Sequence, residues 1–273
     1  MSLSVRVLGS SSAGNCTVLW TDQAAVLVDF GFPLRVIRGG LTECGLDWSD
    51  LTAAFITHIH GDHVSRAVLA MLLGRQVPVY SPLSIATPLM ERFCGFAEGS
   101  GRVLRWFSPG EVIQAGDLYV TGFEVPHDSP GGCCGYCIAH TTPAGPRKVA
   151  LATDMGYPTR GAVSMFAGAD VMIIESNHDV GMLDRSGRPP ELIRRIKALG
   201  HLSNDQCADL LAGALELSQR PPQALILAHI SKECNTPDLA VHSAVSCLRR
   251  SGLMEVQIQP ASPHLPGTAI VLR

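Results

Sequence analysis

Thr57-His58-Ile59-His60-Gly61-Asp62-His63 is the stretch that decides how this chain is read. It continues an apolar strand, Phe55-Ile56-Thr57, and opens a helix expected over His63–Leu73. On extended backbone, side chains two apart share a face, so His58 and His60 can converge on one point. Asp62 and His63 stand at the turn into the helix, where the chain changes direction and can aim at a second point. Three imidazoles and a carboxylate crowded this closely are costly without something to hold, and zinc, iron and manganese all accept such donors. The ordinary alternative is a His-rich surface turn, which the buried strand ahead of it argues against.

Further polar residues follow strands elsewhere, in Val125-Pro126-His127-Asp128, Ala152-Thr153-Asp154 and Leu227-Ala228-His229-Ile230-Ser231. Open sheets place functional groups at such strand ends. In the first third, strands are expected at Val5–Leu8, Thr17–Trp20 and Ala25–Asp29, then a helix over Pro33–Cys44 with Leu34, Ile37 and Leu41 at helical spacing. The second half alternates again, with strands at Val149–Thr153, Val171–Glu175 and Ala224–Leu227 among helices at Pro158–Phe166, Pro190–Leu199, Ser203–Leu217 and Asp238–Arg250. Two closing strands are expected at Glu255–Ile258 and Thr268–Leu272. The pattern is α/β (α+β), two sheets covered by helices. No linker, charge block or repeat divides the chain, so residues 1–273 read as a single domain.

Composition narrows the function classes. Of 273 residues 46% are hydrophobic and 16% charged, which excludes global disorder. No apolar run approaches the ~18 residues of a membrane-spanning helix, and no signal peptide is evident at Met1–Leu8. Nine cysteines, an odd number, suggest reduced thiols in the cytoplasm rather than a disulfide framework. A net charge of −3 gives no global attraction to nucleic acid, though a local basic patch remains open.

On the His58–His63 motif together with His127, Asp154 and His229, the chain resembles the metallo-β-lactamase-fold hydrolases over essentially its whole length. The resemblance implies a four-layer αββα sandwich holding two divalent ions (zinc, manganese or iron). It implies His58, His60 and His127 on one ion, Asp62, His63 and His229 on the other, and Asp154 bridging both. Within the superfamily the chain is similar to the YycJ/WalJ-type branch, through Leu8–Asn15, Thr153–Gly156, Glu175–Asp179, Gly200–Asn204 and His229–Asn235. Ser11 stands where that branch usually has glycine, and Cys234 where it has asparagine.

Two metals suit phosphate-ester hydrolysis, but the same pair supports thioester, lactone and β-lactam hydrolysis. Glu175 and His201 discriminate. Glu175 ends a strand, and His201 precedes a helix capped by Ser203. The pair is similar to the strand-end glutamate and histidine loop of phosphodiesterases such as ribonuclease Z. There His201 would stabilise the transition state or protonate the leaving oxygen, with Glu175 orienting it. Asp62, Asp154, Glu175 and His201 are thus the expected catalytic residues.

His178, Arg188 and Arg194 are the expected substrate contacts; a turn histidine and a solvated helix face (Arg185 to Lys197) are the alternatives. Cys133, Cys134 and Cys137 have C-x-x-C spacing without a second pair, which favours small residues in a strand over a zinc site. The Gly9–Asn15 loop lacks the Lys-Ser/Thr of a phosphate-binding loop and reads as a tight turn near the floor of the site.

The resemblance implies a 5′-to-3′ DNA exonuclease, a phosphodiesterase with nucleic acid as its partner and no membrane association. The alternative is a small-substrate metal hydrolase, either a cyclic phosphodiesterase or a thioesterase. From a different class, a non-catalytic metal-stabilised scaffold is disfavoured by the complete donor set. A flavodiiron oxidoreductase is disfavoured by His60, where that group carries glutamate. Oligomeric state is open.

Overall fold

The computed structural model describes residues 2–93 and 103–273. In chain order it runs β1 (Leu3–Ser11), β2 (Gly14–Trp20), β3 (Ala25–Val28), α1 (Leu34–Glu43), β4 (Leu51–Phe55), α2 (Arg66–Gly74), β5 (Val79–Pro82), α3 (Ala86–Arg92), β6 (Leu104–Phe107) and β7 (Val112–Ala115). There follow β8 (Leu118–Val125), β9 (Cys133–Thr142), β10 (Gly145–Ala152), α4 (Arg160–Phe166), β11 (Val171–Glu175), α5 (Val180–Asp184) and α6 (Pro190–Arg195). The chain closes with α7 (Asn204–Glu216), β12 (Ala224–Ala228), α8 (Pro237–Arg250), β13 (Gln257–Pro260) and β14 (Ile270–Leu272).

The strands form two seven-stranded mixed sheets, ordered β14-β1-β2-β3-β4-β5-β6 and β13-β12-β11-β10-β9-β8-β7. Side-chain alternation explains the layering. Val26 and Val28 of β3 and Val171 and Ile173 of β11 meet in a core between the sheets. Their neighbours Ala25 and Leu27 face Ile37, Leu41 and Leu69 of α1 and α2. Met172 and Ile174 face Phe166, Leu211 and Leu248 of α4, α7 and α8. The result is the expected αββα sandwich. Among the described residues no helix is long and apolar enough to cross a membrane.

Several boundaries move for tertiary reasons. The helix expected from His63 begins at Arg66, because the chain just before it pairs with the end of β3: Phe30 N donates to His63 O and Ser65 N to Phe30 O. The Pro190–Leu199 helix ends at Arg195 and continues as one π-helical turn, Ile196–Gly200. The closing strands start later, at Gln257 and Ile270. β7, α3 and α5 are short and carry no strong pattern.

Cys133, Cys134 and Cys137 lie in β9, and Cys134 faces the inter-sheet core while Cys133 and Cys137 face the helices. The C-x-x-C pair therefore points to opposite faces of one strand. The eight described cysteines are free; Cys94 lies outside the described residues.

β10, β11, β12 and β13 are parallel neighbours, as are β3, β4, β5 and β6, so each group ends on one edge. Tyr136 of β9 is fully buried and donates its hydroxyl to Ile56 O at 2.5 Å, tying one sheet to the other just below Thr57. At this edge Gly31 permits close passage of two backbones, since a Cβ there would lie 1.8 Å from Asp62 O. Gly31→Ala should therefore cost about 1–3 kcal/mol in urea denaturation. Gly39→Ala, on α1 with nothing within 4 Å of its added Cβ, should instead stabilise by roughly 0.5–1 kcal/mol.

Candidate metal centre

Three residues immediately after strands or at their ends, Asp29, Asp154 and His229, have positive φ angles of 57°, 57° and 52°. Left-handed backbone is uncommon outside glycine, and Asp and His tolerate it better than most. Strained backbone of this kind concentrates at functional sites, and here it turns the three side chains toward one another above the sheet edge.

His58, His60 and His127 form the first group. His60 Nδ1 stands 3.0 Å from His58 Nε2 and 3.3 Å from His127 Nε2. Donor atoms around a tetrahedral zinc, with nitrogens at about 2.0–2.1 Å, are about 3.3 Å apart. Burial, together with the neighbouring imidazoles, lowers the pKa values of His58 and His60. Both therefore present neutral rings with a free lone pair. Thr57 Oγ1 holds His58 Nδ1 at 3.0 Å, and Gly200 O accepts from His127 Nδ1 at 2.9 Å. Such partners on the second nitrogen fix ring orientation.

Asp62, His63 and His229 form the second group, and Asp154 lies beside it. His63 Nε2 is 3.4 Å from Asp62 Oδ2 and 2.9 Å from Asp154 Oδ2, while His229 Nε2 is 3.5 Å from Asp62 Oδ2. Asp154 Oδ2 and His229 Nε2 are buried without a well-aligned hydrogen bond. Burial opposes a cationic His229, but Asp154, Asp62 and Glu175 outweigh it and lift its pKa to about 10. This pocket favours positive charge, which a proton or a metal ion can supply. The donor atoms of each group lie within 4.8 Å of one another, as do those of His58, His63 and Asp154. The residues present thus fit divalent metal, with Asp154 close to both His58 and His63.

Glu175 is fully buried and uses both oxygens. Oε2 accepts from Met155 N at 2.9 Å and Leu202 N at 3.1 Å. Oε1 meets His201 Nδ1 at 2.9 Å and His229 Nδ1 at 2.8 Å. Burial would raise the Glu175 carboxyl, but the two imidazoles bring it down to about 2. For His201, burial works against the cation, and Glu175 followed by Asp154 overcomes it and raises the pKa. The π-helical turn delivers His201 to this place, with His201 N donating to Ile196 O. Gly156 allows the turn to pass, since a Cβ there would lie 2.5 Å from Leu199 Cα.

A cavity of about 300 Å³ opens over these groups. Of the expected substrate contacts, Arg188 lines it and pairs with Glu233 at 2.7 Å. Arg194 is exposed and does not line it; its neighbour Arg195 does, paired with Asp128. His178 is 1% exposed, does not line the cavity and lies behind the Glu175–His201 pair. The Gly9–Asn15 turn does form the floor, with Ser10 Oγ donating to Asn15 Oδ1 and accepting from His229 N.

Asp29, for which the sequence carries no expected role, stands against the donor His63. Its carboxylate accepts from Thr57 N and Thr57 Oγ1, each at 2.9 Å, and meets His63 Nδ1 at 2.7 Å. The signal was available, because Asp29 follows an apolar strand as Asp154 does. Asn15, 3.0 Å from His63 Nε2, and Asn177, bonded to His229 O at 2.8 Å, had no such signal.

The sequence profile described as the β-lactamase superfamily domain matches residues 26–230, which span Asp29 to His229. The chain is 30% identical over 271 residues to the exodeoxyribonuclease YycJ of Bacillus anthracis, covering 97% of this chain and 98% of the relative. It is 29% identical over 262 residues to the exodeoxyribonuclease WalJ of Streptococcus pneumoniae, covering 94% and 93%. Among solved structures, the metallo-β-lactamase-fold protein YhfI of Bacillus subtilis aligns with a TM-score of 0.70 at 17% identity, covering 99% of this chain and 100% of that one, a likeness of fold.

Because Asp29 orients His63, Asp29→Ala should weaken retention of divalent metal by roughly 10–100-fold. Titration with a chelator reads this out, and retention equal to wild type would remove Asp29 from the site.

Proposed function

The chain belongs to the β-lactamase superfamily, in its YycJ/WalJ branch of metal-dependent hydrolases, and from that premise we propose that it is a two-metal phosphodiesterase acting on nucleic acid, a 5′-to-3′ DNA exonuclease. The observation that carries the proposal is the Glu175 carboxylate, which joins His201 to His229 beside the shared Asp154. A metal hydrolase acting on phosphodiesters has use for an acid of this kind next to its donor groups. The full-length relatives, both exodeoxyribonucleases, support DNA as the substrate.

In this reading His58, His60 and His127 hold one divalent ion, Asp62, His63 and His229 a second, and Asp154 both; zinc, manganese and iron suit the donors. Bound there, the ions would supply an activated water and neutralise charge on the phosphate. The remaining work falls to the protein. Glu175 fixes His201 through Nδ1, which leaves the other ring nitrogen for the cavity and keeps the ring protonated. His201 then donates to the phosphate or to the leaving oxygen. Gly200 O and Asp29 hold His127 and His63 in register while this happens. Residues 1–273 act as one catalytic domain in the cytoplasm, where the free cysteines stay reduced. A cavity of about 300 Å³ also suits a small phosphodiester, which keeps a small-substrate hydrolase as the second reading.

His201→Ala should lower phosphodiester turnover by about 10²–10⁴-fold while metal content stays unchanged. Activity equal to wild type would remove His201 from the mechanism. Comparing 5′-phosphorylated duplex DNA, single-stranded DNA, RNA and bis-(p-nitrophenyl) phosphate, each with manganese, magnesium or zinc, tests the substrate. Ordered loss of 5′-terminal nucleotides from DNA is expected. Turnover of the small ester alone would favour the second reading.

A further inference from the structure

The segment from α5 through the π-helical turn, residues 180–200, is joined to the sandwich at its C-terminal end, where Gly200 O accepts from His127 Nδ1 and Leu199 passes close to Gly156. Leu183, Ile193 and Ile196 pack with Cys234 in an apolar cluster of their own, separate from the three cores of the sandwich. Neither α5 nor α6 packs broadly on a described strand or helix outside the segment. Leu183, Leu192 and Ile196 form an apolar wall of the cavity, facing the His and Asp groups. On one flank Arg195 reaches Asp128, next to His127; on the other Arg188 reaches Glu233, on the loop that follows His229. The segment therefore bridges the cleft from one donor loop to the other.

We propose that residues 180–200 are a cap that admits only a free strand end, and that this cap is what makes the enzyme exonucleolytic. The inference rests on the nuclease reading. A polymer threaded through the site needs an entrance and an exit, and the Arg195–Asp128 and Arg188–Glu233 bridges stand across the two flanks. The cavity volume, about 300 Å³, is at the small end for ligand sites. That volume matches a unit the size of one nucleotide better than a base-paired step, so a duplex is expected to fray before its terminal nucleotide enters. The apolar wall offers a surface for a base, and the two arginines at the rim lie where flanking phosphates would pass. The ion pairs are solvent-exposed, with Glu233 at 72% and Arg195 at 62% side-chain exposure, so they hold the cap weakly. The rest of the closure falls to the small apolar cluster and to the anchor at Leu199 and Gly200.

The test compares linear with covalently closed circular single-stranded DNA of one sequence, with bis-(p-nitrophenyl) phosphate as a size-independent control. Wild type should degrade the linear form at least ~100-fold faster than the circle. Ile193→Asp, which places a charge in the cap cluster, should raise cleavage of the circle at least ~10-fold while control turnover stays within about threefold. Glu233→Gln, an exposed substitution that leaves folding intact, should move the circle in the same direction by a smaller factor. If wild type cuts the circle as readily as the linear strand, the cap proposal fails and the nuclease reading stands. If both variants keep control turnover yet leave the circle intact, the cap does not determine end selection. If wild type hydrolyses the control and neither DNA, the nuclease reading itself fails and the proposal with it.

Discussion

Three carboxylates, Asp29, Asp154 and Glu175, are buried together with His58, His63 and His229 at one edge of the sandwich, and the local structure around the site follows from how that charge is held. Carboxylates taken from water cost several kcal/mol each unless paired. Asp29 and Glu175 meet the cost with backbone amides and imidazoles. Asp154 Oδ2 and His229 Nε2 have ion-pair partners in His63 and Asp62 but no well-aligned hydrogen bond, and a divalent cation would give both a further partner. The left-handed turns at Asp29, Asp154 and His229, the close passage at Gly31 and the π-helical turn before His201 are local departures from regular backbone. Each brings a charged or ring-bearing side chain to the same few ångströms.

The layers and much of the centre were readable from the chain because they depend on local pattern. Apolar strands alternating with amphipathic helices dictated two covered sheets. Strands running into His127, Asp154 and His229 marked the functional edge. The sorting of His58, His60 and His127 from Asp62, His63 and His229 is an expectation from family resemblance; the donor atoms of each set lie within 4.8 Å of one another, and so do those of His58, His63 and Asp154. Which nitrogen each ring presents was not legible; His60 turns Nδ1 inward while His58 and His127 turn Nε2, a choice set by Thr57 and Gly200.

Other features escaped because distant segments decide them. Pairing of Phe30 with Val64 keeps the chain after the His63 turn out of the helix and delays it to Arg66. On α6 it is Arg195 that lines the cavity, while its neighbour Arg194 faces solvent. His178, plausible from its spacing to Glu175, is turned into the protein by its bridge to Ser203. Most donor groups thus follow strand ends, whereas His201 and the apolar wall of the cavity come from the segment that ends in the π-helical turn.

Elemental analysis of the purified, metal-reconstituted protein tests most directly whether the two donor groups hold two divalent ions. Close to two ions per chain are expected, falling toward one when His58 and His127 are both replaced by alanine. Fewer than one ion per chain in the wild-type protein would contradict that expectation.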